Sequence, residues 1–173
     1  MTAKLSVLKP LFRFSLILMA VFILSRISLL IWQQQRLADG DSLAVLFGGL
    51  RVDLSSLGYL LALAVLMLIA HVLLRSKTSL LQLIFTLYSS IVVTLIVVIE
   101  ASTPAFITQY DVRPNRLFVE YLDYPQEVFS MLLHGHLFAM ISTLIIATLS
   151  CVFAYRYINT AFSKQQNAKT VCQ

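Results

Sequence analysis

With 173 residues, 59% of them hydrophobic and 12% charged, and a mean hydropathy of +0.86, the chain is not a water-soluble domain. Its formal net charge of +5 does not indicate nucleic-acid binding, because the basic residues stand at the ends of apolar runs and form no groove-lining cluster. The two cysteines, Cys151 in the last apolar run and Cys172 in the terminal tail, give no disulfide framework and read as free thiols.

The first apolar run, residues 10–32, is long enough to cross a hydrocarbon core of roughly 30 Å as a helix. Lys4, Lys9 and Arg13 precede its apolar core, as they would in a signal peptide, but no small-x-small cleavage site follows and the apolar character resumes from Ile27 to Trp32. A retained anchor is therefore expected. Its awkward residue is Arg26, about two turns before Trp32, which is expected to snorkel to the outer surface.

The loop over residues 33–53 opens with Gln33, Gln34, Gln35 and Arg36, turns at Asp39-Gly40-Asp41, and becomes apolar over 43–50. Ser42 is suited to cap a short helix, and Gly48-Gly49 to bend or break it. This segment is too short to cross and would lie at the interface or dip in, bringing Arg51 and Asp53 to the outer membrane boundary. The next two spans, 54–74 and 80–99, contain no Asp, Glu, Lys or Arg, and in lipid such runs must be helices. Glu100 then reads as a solvated helix end. Gly58 and Ala62 form a small-xxx-small pair, a weak signal for close helix approach.

Residues 100–127 carry acids, arginines and prolines between two apolar runs. Helical spacing puts Leu117, Phe118, Tyr121 and Leu122 on one side of residues 115–124 and Arg116, Glu120 and Asp123 on the other, the pattern of an interfacial helix. Pro114 suits its start, and Pro125 a break followed by a new helix with Glu127 in its first turn. That helix contains the fourth span, 133–155, and either projects outward or bends at Gly135. His134 and His136 point apart on a helix and are not expected to bind a metal. Residues 161–173 read as a polar tail.

Thus the expected fold is an all-α, polytopic membrane bundle of four spans within residues 1–160, with short interfacial helices in its outer loops. Eight of the thirteen Lys and Arg residues lie on the inner side if the N-terminus is inside, so an N-in/C-in topology is expected. All eight acids then fall in or beside the two outer loops. No glycine-rich phosphate loop, serine elbow or zinc-protease histidine pair occurs, and no catalytic residue is evident. Arg113 and Arg116 read in two ways. Their planar forks match phosphate oxygens at headgroup depth, and they equally match Asp111, Glu120 or Glu100 as ion-pair partners. Arg51 and Asp53 are either a lipid-site pair or simply the charges that mark the end of a span.

Two stretches, GLRVDLSSLGYLL at 49–61 and DVRPNRLFVEYLDYPQEV at 111–128, resemble the membrane domain of the lipoteichoic-acid-synthase-like phosphoglycerol transferases, bacterial members of the alkaline phosphatase and sulfatase superfamily. The resemblance covers roughly residues 10–157. It implies a multi-pass protein of the bacterial cytoplasmic membrane that anchors an enzyme and presents lipid headgroups, anionic phospholipid among them, with Arg51, Asp53, Arg113, Asn115 and Arg116 as the matching positions. In that family a fifth span leads to an external domain, where a threonine nucleophile and a divalent metal transfer phosphoglycerol. Four spans and a polar tail leave no room for that domain, so a truncated or split member is expected, with no cofactor of its own and with a separate catalytic chain or a second copy as partner. Two other readings stand beside this one: a self-standing membrane protein that binds a partner or lipid through its outer loops, and a small transporter using Arg26 and Glu100.

Overall fold

The computed structural model describes residues 8–34, 41–73, 79–111, 126, 130, 133 and 137–170. Four long helices carry the fold: α1 (Lys9–Trp32), α2 (Asp41–Leu73), α3 (Ser79–Tyr110) and α4 (Leu137–Thr170). Each contains a window long and apolar enough to cross a membrane. No strand occurs among the described residues. The expected interfacial helix at 115–124, and with it Pro114, Pro125, Glu127, His134, Gly135 and His136, lies outside the described residues.

Helix α1 begins with Pro10 in its first turn, where the fixed φ suits a helix and the missing N–H has no partner to lose. It ends at Trp32, and the Gln33 N–H still reaches the Leu29 carbonyl. The three longer helices depart from the expected boundaries. Residues 41–53 do not form a separate interfacial helix that breaks at Gly48-Gly49, for α2 runs unbroken from Asp41 to Leu73. A glycine inside a helix costs only about 1 kcal/mol, whereas backbone groups freed in lipid cost several each. The ladder therefore continues through both glycines.

Helix α3 runs past the expected end at 99 and through Pro104 to Tyr110. Pro104 has no N–H to give the Glu100 carbonyl, but the ring does not stop the helix. Asp111 closes α3 with φ 58°, a left-handed conformation that Asp tolerates, and its N–H bonds the Ile107 carbonyl. Helix α4 continues to Thr170, through much of the segment expected to be a tail, while its apolar window spans Met140–Phe162.

The helices alternate in direction. At one end the start of α1 meets the end of α4, where Arg13 bonds Tyr157 and Thr160, and Phe85 near the start of α3 packs edge-on against both Phe14 and Phe162. At the other end the last turns of α1 meet the first half of α2 and the last third of α3. The core follows this arrangement, with Phe14, Leu18, Phe85, Val93 and Ile158 almost wholly buried. Helices α3 and α4 make the most extensive contact. Small buried residues on both, Ser89 and Ser90 on α3 and Ala154 and Ala161 on α4, allow that close approach. The Thr86, Ser90 and Thr94 hydroxyls are satisfied by the carbonyls of Gln82, Thr86 and Ser90 one turn back. Outward, Phe12, Phe47, Tyr59, Leu73 and Phe138 are exposed, as expected of side chains that meet acyl chains.

Candidate functional site

The end of the bundle away from the chain termini holds a polar cluster drawn from three helices. Arg26 on α1 grips Asp53 on α2 side-on: Nε donates to Oδ2 at 3.0 Å, and Nη2 reaches Oδ1 and Oδ2 at 2.7 Å each. Both side chains are only 11% exposed. One residue earlier on α1, the Ser25 hydroxyl donates to a carboxylate oxygen of Glu100 on α3. Arginine and carboxylate forks match in this geometry, which makes the pair directional as well as charged.

Room for the guanidinium comes from Gly49. A Cβ there would overlap Nη1, Cζ and Nε of Arg26. Gly49 and Asp53 stand one turn apart on the same face of α2, so the helix offers a gap and a counter-charge in register. Gly48, the residue before, has open space where its Cβ would be. The pair lies inside the apolar stretch of both helices: Arg26 is about 9 Å from the end of α1, and Asp53 about 15 Å beyond Leu43 on α2. Arg26 thus does not snorkel alone to the surface. It is neutralised where it stands, because an unpaired charge at that depth costs several kcal/mol.

Of the five positions expected to meet lipid, Arg51 is exposed, and Asp53 is buried and committed to Arg26. Two residues apart, they point to different sides of α2. Arg113, Asn115 and Arg116 lie outside the described residues. Glu100 is not the solvated helix end the sequence suggested: it is half-buried, more than two turns before the end of α3. Among the described residues no group of three His, Cys, Asp or Glu side chains is arranged to hold a metal. Cys151 is a free thiol, half-buried on α4. Buried Nδ1 of His71 and Oγ of Ser89 have no hydrogen-bond partner among the described residues.

Sequence reasoning missed the Arg26–Asp53 pair, although a signal for it was present. An arginine inside one apolar run and an aspartate at the start of the next each need a counter-charge in lipid. No protein-family model matches the chain, and no solved structure matches it.

Proposed function

We propose that this chain is a membrane-anchoring domain that presents anionic lipid headgroups at the end of its bundle away from the chain termini, in a bacterial cytoplasmic membrane with both termini inside. The single observation that carries this reading is the division of labour between Asp53 and Arg51. Asp53 is spent within the bundle on Arg26, whereas Arg51, on another side of α2, is exposed and can extend its guanidinium toward the headgroups. Arg113, Asn115 and Arg116, which follow α3 closely in sequence, would complete the phosphate-binding set. Resemblance to the phosphoglycerol-transferase membrane domain favours the same reading and names its natural partner, a metal-dependent catalytic domain or chain.

The test uses the full chain in nanodiscs containing a photoactivatable phosphatidylglycerol. Peptides around Arg51 should be labelled more strongly than with the corresponding phosphatidylcholine. Changing Arg51, Arg113 and Arg116 together to Ala should remove that preference. Labelling there that is equal for both lipids, or unchanged in the variant, would overturn the proposal.

A further inference from the structure

At the opposite end of the bundle, where the chain begins, we infer a second anion site: a seam between α1 and α4 that takes the phosphodiester headgroup of an anionic glycerophospholipid. It stands on other residues than the site proposed above. Arg13 is its centre. Nη1 donates to the Tyr157 carbonyl at 2.7 Å and to the Thr160 hydroxyl at 2.8 Å, and the guanidinium carbon lies 4.7 Å from the centre of the Tyr157 ring. These contacts fix the plane of the guanidinium while leaving Nε and Nη2 out of both bonds, so a planar donor fork is held half-buried at the edge of the apolar band.

Two more cations flank it. Lys9 is one turn before Arg13 on α1, and Arg156 is one turn before Thr160 on α4; both are exposed. Among the described residues none of the three has a carboxylate within ion-pair distance. The described acids Asp41, Asp53, Glu100 and Asp111 all belong to the other half of the bundle. Three neighbouring cations beside lipid, with no counter-charge among the described residues, are stabilised by an anion, and a phosphate offers oxygens in the geometry a guanidinium fork accepts.

The apolar surroundings decide that the phosphate belongs to a lipid. Phe12 is 65% exposed beside Arg13, and Phe153, stacked on Tyr157 with ring centres 5.7 Å apart, is 59% exposed. Below the cations the seam therefore offers aromatic surface for acyl chains, which a free phosphate would not need. A basic seam between membrane helices is the arrangement expected to retain anionic headgroups.

The experiment uses the full chain in nanodiscs with photoactivatable phosphatidylglycerol or phosphatidylcholine, and maps labelled peptides from residues 9–16 and 149–162. Each basic residue near an anionic surface is worth roughly fivefold in affinity, so labelling there should favour phosphatidylglycerol at least about fivefold. The variant Lys9→Gln/Arg156→Gln, which keeps every interhelical bond of Arg13, should lose most of that preference, and adding Arg13→Gln should abolish it. Equal labelling by the two lipids in the wild type, or undiminished preference in the double variant, would overturn the inference. So would displacement of the lipid by millimolar inorganic phosphate, which would make free phosphate the ligand. Labelling around Arg51 reports the other end independently, so either site can fail alone.

Discussion

At the scale of single residues, the two adjacent glycines of α2 make a controlled comparison. Gly48 has open space around its missing side chain, whereas the Arg26 guanidinium occupies that space at Gly49. Gly48→Ala should raise stability by up to about 1 kcal/mol, the helix-propensity difference. Gly49→Ala gains the same propensity but displaces Arg26 from Asp53, and stranding a buried charge costs roughly 3–5 kcal/mol. Unfolding of the two variants in detergent micelles, followed by circular dichroism, should move in opposite directions; matching shifts would mean that Gly49 does not hold the pair in place. Residue types alone announced that Arg26 needed a solution. They did not identify Asp53, because the partner is set by how two helices fold back on each other.

At the scale of helices, α3 is the element that ties the bundle together near its termini. Phe85 meets Phe14 at 6.4 Å and Phe162 at 5.6 Å between ring centres, both edge-on, and so links α1 and α4 through one side chain. Each such pair is worth about 0.5–1.5 kcal/mol beyond area burial, so Phe85→Ala should cost at least about 1–3 kcal/mol. Tyr88, three residues on, donates its hydroxyl to the Leu60 carbonyl of α2 at 2.8 Å. Tyr88→Phe removes that one bond and keeps the ring against Phe14, and should cost only about 0.5–1.5 kcal/mol. Equal losses for the two variants in the same unfolding assay would show that ring packing does not dominate here. The existence of all four helices was legible from the apolar runs. Their lengths were not, since bilayer thickness estimates a span, whereas a helix continues until its backbone finds other partners. Gly48-Gly49 and Pro104 looked like stops, and neither outweighs the cost of opening a hydrogen-bonded ladder in lipid.

For the whole molecule, the contact of Arg13 with Tyr157 and Thr160 requires that the start of α1 and the end of α4 share one face of the membrane. That requirement is geometric and independent of orientation. Which face it is rests on the basic residues: Lys9, Arg13, Arg156, Lys164 and Lys169 toward this end, against Arg26 and Arg51 toward the other. The two statements separate experimentally in a chain with Cys151 and Cys172 changed to Ser and single cysteines introduced at Lys9, Gln34 or Lys169. In intact cells a membrane-impermeant maleimide should label Gln34→Cys, at the far end of α1, and should reach Lys9→Cys and Lys169→Cys only after permeabilisation. If Lys9→Cys and Lys169→Cys were labelled from opposite sides, the antiparallel order of the bundle would be wrong. If both were labelled from outside and Gln34→Cys were protected, the bundle would stand and its orientation would reverse. Arg51 would then face the cytoplasm, and the lipid seam at Arg13 would draw on the outer leaflet.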